Sequence, residues 1–252
     1  MKSQRLVLIS AYLMLICALV VTTTFISIRY YSDYAIRNYI LVHPDVVVSA
    51  VKSYRGSLDL EQQAGRDRLI AQNLERLNSD SMSPVGGNIA GAKVLIEFFD
   101  YQCQYCKAVA KTLDEFISGD EQARIIYKEF PILGDGSVIA AKASLAAWKL
   151  GRFNDLHRYI LSAKGALDEK RIEEIANEAR IPWEKLSAMM KDPAIDVELQ
   201  RNKELAEAMD IKGTPAFIVG SRYVNFTIKS KEQIQGLLQA QQSELSSRAV
   251  PR

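Results

Sequence analysis

From Leu6 to Ile28 the chain carries 23 consecutive residues without a charge, LVLISAYLMLICALVVTTTFISI. At about 1.5 Å per residue, a helix of that length crosses a hydrocarbon layer of roughly 30 Å. Residues 1–28 are therefore predicted to form an N-terminal transmembrane helix. A cleaved signal peptide is the competing reading, but it needs an apolar core of about 7–15 residues and a small-x-small cleavage site. No Ala-x-Ala precedes Arg29, so an uncleaved anchor is favoured. Acids and bases balance within 29–84 and within 85–252, which leaves the formal +2 to Lys2 and Arg5, both ahead of the span. Positive residues on that short side keep it in the cytoplasm, and everything after Arg29 is translocated.

The remainder has no net charge, and this gives no reason to expect a nucleic-acid partner. With 48% hydrophobic and 25% charged residues over 252, the chain suits one globular domain plus an appendage. Tyr30, Tyr31, Tyr34 and Tyr39 follow the span, either as an interfacial belt or on the packed face of a helix. Residues 29–83 form a predicted helical arm. Ile36, Ile40, Val47, Val51, Tyr54 and Leu58 make one apolar stripe, and Leu69, Leu74 and Leu77 a weaker second one. Pro44 should break or restart the arm, and Gly56 and Gly65 loosen its middle. The stripe packs either on the chain's own domain or on another subunit, the second being slightly favoured. Asn78 to Asn88, rich in Ser, Gly, Asp and Pro, reads as a linker or first loop.

The main domain is predicted over 84–245, with 246–252 as a tail. It opens with a strand, Val94–Phe99, a helix to about Ile117, and a second strand, Ile125–Phe130, ended by Pro131: a βαβ order. From about 137 to 208 the periodicity is helical, with turn signals at Gly151, Gly165, Pro182 and Pro193. Strand character returns at Ala216–Val219 and Tyr223–Thr227, and Lys231–Gln242 closes as a helix. Trp148, Trp183, Met189 and Met190 fit a core or groove lining, and Asp168 an N-cap. Gly134-Asp135-Gly136 lacks a phosphate-loop pattern, and no Gly-x-Ser-x-Gly occurs.

Cys103-Gln104-Tyr105-Cys106 sits where the first strand gives way to its helix. A helix start leaves N–H groups unpaired and carries partial positive charge, so a thiol there is stabilised as the attacking thiolate. The second thiol, one turn on, can resolve a mixed disulfide formed at the first. Half of a zinc site is the alternative, but the ligands run out. Cys17 lies in the apolar segment, and His43 and His157 have no partner at ligand spacing. No metal and no organic cofactor is expected, and His157 is given no role.

Gly213-Thr214-Pro215-Ala216-Phe217 places a proline at the start of a strand more than a hundred residues after the dithiol. Together with the Cys-x-x-Cys, this resembles the thioredoxin fold. Glu97-Phe98-Phe99-Asp100-Tyr101-Gln102-Cys103, followed by Tyr127-Lys128-Glu129-Phe130-Pro131, resembles the DsbA-like branch, in which a helical domain interrupts that fold. The likeness implies an α/β thioredoxin fold with an inserted helical domain, preceded here by the membrane helix and the arm. It implies a cis Pro215 beside the dithiol, with the Thr214 backbone free to pair with an extended substrate. Cys103 would be the exposed nucleophile and Cys106 the buried resolving thiol. Glu97, six residues before Cys103, would be the buried acid that moves the Cys106 proton. A carboxylate in an apolar strand is costly unless it works or is paired; an exposed strand position is the alternative.

The arm and the opening Ser83-Pro84-Val85-Gly86-Gly87-Asn88 resemble members related to ScsC, whose N-terminal segments make dimers or trimers. Two departures, Gln104-Tyr105 between the cysteines and Thr214 before the proline, leave the direction of electron flow open. The resemblance implies a thiol:disulfide oxidoreductase acting through Cys103 on unfolded or partly folded secreted proteins, with a membrane redox partner and self-association. It would be a single-pass inner-membrane protein with its catalytic domain in the periplasm, or a periplasmic or secreted one if the segment is cleaved. The rival readings are an isomerase or reductase kept reduced by a membrane donor, and a chaperone or interaction protein with a vestigial dithiol.

Overall fold

A computed structural model describes residues 2–78, 82–224 and 228–249. The chain divides between Glu61 and Gln62 into two compact units.

The first unit contains helix α1 (Lys2–Val42) and the start of α2 (Pro44–Gln72). Helix α1 does not stop where the apolar run does. Beyond Ile28 no breaker occurs until Pro44, whose ring disfavours helix at the preceding residue, and His43 is the gap between the two helices. By length and composition, a membrane-crossing candidate occupies Tyr12–Val42. Within it the Thr22, Thr23 and Thr24 hydroxyls donate to the carbonyls of Ala18, Leu19 and Val20 at 3.0, 2.8 and 2.8 Å, so these hydroxyls need no water. Helix α2 passes through Gly56 and Gly65 unbroken.

The second unit takes in the last turns of α2, the short helix α3 (Leu74–Asn78) and a five-stranded sheet. Its strands are β1 (Val85–Gly87), β2 (Lys93–Phe99), β3 (Ala123–Glu129), β4 (Ala216–Val219) and β5 (Arg222–Val224), in the order β1-β3-β2-β4-β5. Strands β2 and β3 are parallel and joined through α4 (Gln104–Ser118), the expected βαβ unit; the other pairings are antiparallel. Between β3 and β4 come α5 (Asp135–Lys149), α6 (Phe153–Ser162), α7 (Glu169–Glu178), α8 (Trp183–Met189) and α9 (Pro193–Ala208), and α10 (Lys231–Ala249) closes the described chain. This is the thioredoxin-like α/β fold with inserted helices.

Alternation along β2 divides its side chains between two cores. Leu95 and Phe99 join α4, α5, α6 and α10 on one face, while Ile96 and Phe98 pack with Ile70, Leu77, Leu205 and Met209 on the other. Burial on both faces is why the strand reads as an apolar run interrupted only by Glu97 between Val94 and Phe99. Trp148, Trp183, Met189 and Met190 pack against the first core, and Asp168 caps α7 by accepting from Arg171 N–H at 2.8 Å.

Two expectations need correction, and a third is described only in part. Val85–Gly87, read as loop, is a strand, because antiparallel pairing with β3 supplies an order that a Val-Gly-Gly pattern cannot announce. Gly86 is required there, since a Cβ would lie 2.9 Å from the Tyr127 ring. Helix α10 runs past Gln242 to Ala249, so most of the 246–252 tail is helical and only 250–252 lie outside the described residues. The strand expected over Tyr223–Thr227 is described only to Val224, and 225–227 lie outside the described residues.

Candidate active site

The end of β2 runs into a loop shaped by the buried carboxylate of Asp100. Its Oδ1 accepts from the Gln102 N–H and the Ser137 hydroxyl, both at 2.7 Å, and its Oδ2 from the N–H groups of Ile132 and Leu133 at 2.8 and 3.0 Å. Cys103 N–H donates to the Asp100 carbonyl at 3.1 Å, and Cys103 takes the N-cap position of α4. There Cys103 Sγ accepts from Cys106 N–H at 3.4 Å.

Across the loop, the cis peptide Thr214–Pro215 precedes β4, and the register of Phe98 with Ala216 carries it alongside the dithiol. As a thiol, Cys103 donates to the Thr214 carbonyl at 3.2 Å. The structure therefore brings together four of the residues singled out from sequence, Cys103, Cys106, Thr214 and Pro215. One point differs: Cys103 is only 5% exposed, against 1% for Cys106, because the helix start and the Thr214 backbone cover it. It is a recessed sulfur, not the exposed one expected.

The two thiols have opposite acidities. The Cys103 thiol is pulled down to about 6, first by the hydrogen bond from the Cys106 thiol, against the opposing effect of burial, and then by the Thr214 side chain and the N–H groups of Cys106 and Tyr105. At pH 7 that makes it about nine-tenths thiolate. Burial pushes the Cys106 thiol far above the ordinary range, and the hydrogen bond it gives to Cys103 and the nearby Glu97 push it further. Cys106 stays protonated until a base takes its proton.

Glu97 is buried in β2, not at an exposed strand position. Burial, and then the Cys103 thiolate charge, push its carboxyl up to about 8. Glu97, Cys106, Tyr127 and His157 all line a cavity of about 230 Å³, whose outer wall includes Lys107, Asp114 and Arg158. An acid with that affinity for protons can exchange one with solvent at neutral pH. His157 is packed against Phe99, Tyr127 and Phe153, with Nδ1 2.7 Å from the Tyr101 hydroxyl, and burial holds it neutral by pushing it down to about 3.

Asp100 and Lys107 were not singled out from sequence. Lys107 reaches from α4 to donate to the Ala163 carbonyl at 2.6 Å, tying the dithiol helix to the inserted domain. An aspartate two residues before Gln102 signals a local turn, but nothing local announces partners at 132 and 133. Among the described residues, no three His, Cys, Asp or Glu side chains are grouped to hold a metal ion.

Residues 94–239 match the DSBA-like thioredoxin domain. The chain belongs to that family. It is a thiol:disulfide oxidoreductase. Over 160 residues it is 26% identical to the thiol:disulfide interchange protein DsbA of Bordetella parapertussis, covering 62% of this chain and 76% of that one. A linker-deletion mutant of ScsC from Proteus mirabilis superimposes with a TM-score of 0.68 at 26% identity, covering 79% of this chain and 92% of that one. BcfH of Salmonella enterica Typhimurium gives 0.70 at 26% identity, covering 85% and 96%. Within the DSBA-like family, this similarity sets the chain with the ScsC-like members.

Proposed function

We propose that this chain is a membrane-anchored, extracytoplasmic enzyme that exchanges disulfides with unfolded or partly folded secreted proteins, with Cys103 as its nucleophile and Cys106 as its resolving thiol. In the reducing direction the Cys103 thiolate attacks a client sulfur, forming a mixed disulfide and releasing one client thiolate, which takes a proton from water. Cys106 gives its proton to the Glu97 carboxylate and attacks Cys103 Sγ. The second client thiolate leaves, and two electrons have passed from enzyme to client. The oxidising direction is the reverse, and two client thiols leave as a disulfide.

One observation carries this reading: a recessed Sγ at the N-cap of α4, 3.2 Å from the Thr214 carbonyl and next to a buried, protonated partner. A thiolate held at about 6 stabilises the reduced enzyme. At pH 7 that tilts the exchange toward oxidising clients. The apolar helix Tyr12–Val42 supports an inner-membrane location with the enzyme in the periplasm, where disulfides persist. Reoxidation then falls to a redox partner in the same membrane.

The apolar side chains of Val47, Val51 and Tyr54 favour a second reading, because all three are exposed. Self-association through them would gather several dithiols and suit an isomerase kept reduced by a membrane donor.

The test is substitution at the dithiol followed by recovery of covalent partners. Cys103→Ser is expected to abolish exchange, and Cys106→Ala to hold clients as mixed disulfides on Cys103. An active Cys103→Ser protein would refute the reading. Equilibration of the wild-type dithiol with glutathione separates the directions, since a high potential fits an oxidase and a low one a reductase.

A further inference from the structure

The cavity beside Glu97 touches one sulfur of the dithiol and not the other. Cys106 belongs to its wall, whereas Cys103, at the N-cap of α4, does not. Apolar side chains, Phe99, Ala110, Leu113 and Leu161, line the space, and at the outer wall Arg158 lies 3.7 Å from Asp114 while the Lys107 ammonium donates to the Ala163 carbonyl. The balance of charge at that wall is positive. A volume of about 230 Å³ admits a molecule of a few heavy atoms and excludes a stretch of peptide.

The chemistry of exchange favours the sulfur that this cavity reaches. A disulfide breaks faster the more acidic the departing thiol. Attack on Cys106 of a Cys103–Cys106 disulfide expels Cys103, the thiol pulled down to about 6, whereas attack on Cys103 must expel Cys106, which burial pushes far above the ordinary range. Of the groups that hold Cys103 low, the hydrogen bond from the Cys106 thiol is lost once Cys106 is bonded to another sulfur, but the Thr214 side chain and the N–H groups of Cys106 and Tyr105 remain. Client chains are confined to the poorer leaving group, because Cys103 is the sulfur that lies beside Thr214 and the cis proline. A nucleophile small enough for the cavity is not.

We propose that the cavity is a second entrance to the active-site disulfide, through which a small thiolate, hydrosulfide being the smallest, attacks Cys106 Sγ. A bond forms between the incoming sulfur and Cys106, the Cys103–Cys106 bond breaks, and its electron pair leaves with Cys103 as thiolate. A second small thiolate then attacks the outer sulfur and departs with it as a small disulfide. The Cys106 sulfur released in that step takes its proton from Glu97, which lines the same cavity and is protonated at neutral pH. Two small thiols have been oxidised and one enzyme disulfide reduced. Lys107 and Arg158 draw the anionic nucleophile to the outer wall. The proposal rests on the exchange chemistry of the dithiol and adds a class of reductant that is neither a client nor a membrane donor.

The test starts from the oxidised full-length chain in lipid nanodiscs and follows its reduction by sodium hydrosulfide and, separately, by glutathione, a tripeptide too large for the cavity. Rapid quenching with an alkylating agent and peptide mass spectrometry locate the first adduct. Hydrosulfide is expected to leave its sulfur on Cys106 with Cys103 alkylated, and glutathione to leave its adduct on Cys103. Ala110→Phe, which fills the cavity, should slow hydrosulfide about tenfold by blocking access and leave the glutathione rate unchanged. Arg158→Glu keeps the space open and reverses a charge at the outer wall, so it should slow hydrosulfide in low salt, less in high salt, and spare glutathione.

A first hydrosulfide adduct on Cys103 would overturn the proposal. So would a hydrosulfide rate unchanged in Arg158→Glu, or equal slowing of both reductants in Ala110→Phe. Failure of the exchange reading has a separate signature, a wild-type disulfide that glutathione leaves unreduced.

Discussion

Glu97 and Cys106 share a cavity, and their acidities make a testable division of labour. The Glu97 carboxyl is raised in the folded state, so the folded protein binds more protons than the unfolded chain between about pH 4.3 and about 8. Folding stability contributed by this group therefore falls as pH rises through that window. Glu97→Gln removes the penalty, and its thermal midpoint should exceed that of the wild type at pH 8, the difference vanishing below about pH 4. The same variant should resolve mixed disulfides about 100-fold more slowly, as expected for loss of a general base. The Cys103 titration, by contrast, is expected to stay near pH 6 in Glu97→Gln. At that pH the wild-type Glu97 is already neutral, so removing its charge changes nothing that Cys103 feels. Thiolate absorbance against pH checks this, and a shift of a full unit in the variant would contradict the assigned order of protonation.

At the scale of elements, the end of the arm is part of the catalytic unit. Asp67 Oδ1 accepts from Tyr223 N–H at 2.8 Å, and Gln63 Nε2 donates to the Tyr223 carbonyl at 2.7 Å, while the Arg66 guanidinium lies 4.6 Å from the Tyr223 ring. Side chains of α2 thus satisfy the outer backbone groups of the edge strand β5, which would otherwise be open to pairing with another chain. Ile70, one turn on, is fully buried beneath the sheet. Ile70→Ala is expected to cost about 2–5 kcal/mol, and Asp67→Ala about 1–3 kcal/mol with increased aggregation; thermal melts and light scattering measure both. The sequence stripe named Leu69, Leu74 and Leu77, of which Leu77 is fully buried and Leu74 only partly, while Ile70 escaped notice. The cause is physical: the last turn of α2 ends at Gln72 and α3 restarts at Leu74, so a single helical period does not run through both. Strands β2 and β3 were legible because burial on both faces makes most of their residues apolar, with Glu97, Lys128 and Glu129 as buried exceptions. Strand β1 was not, since only its pairing with β3 orders it. The dithiol and Pro215 were legible as short motifs with a mechanism, whereas Asp100 was not, because its carboxylate works on backbone groups about thirty residues away.

For the molecule as a whole, the question is what covers the other stretch of the arm. Val47, Val51, Tyr54 and Leu58 fall on α2 at intervals of 4, 3 and 4 residues, the spacing of a coiled-coil seam, and all four are exposed. A single chain leaves that seam in water, and burying it against copies of itself would recover about 25 cal/mol for each Å² covered. Removing the whole arm is a poor test, because a deletion reaching residue 80 also takes Asp67, Ile70 and Leu77 from the catalytic unit. Val47→Asp with Val51→Asp places two charges in the seam and leaves those contacts alone. If the seam assembles the protein, the wild type is expected to sediment as a dimer or trimer in detergent and the double variant as a monomer, while exchange with glutathione persists in each catalytic unit. Isomerisation of a scrambled protein should fall much further than simple oxidation, since only the former needs several dithiols around one client. An unaltered mass in the double variant would remove the seam as the assembly element, and with it the structural reason for favouring an isomerase.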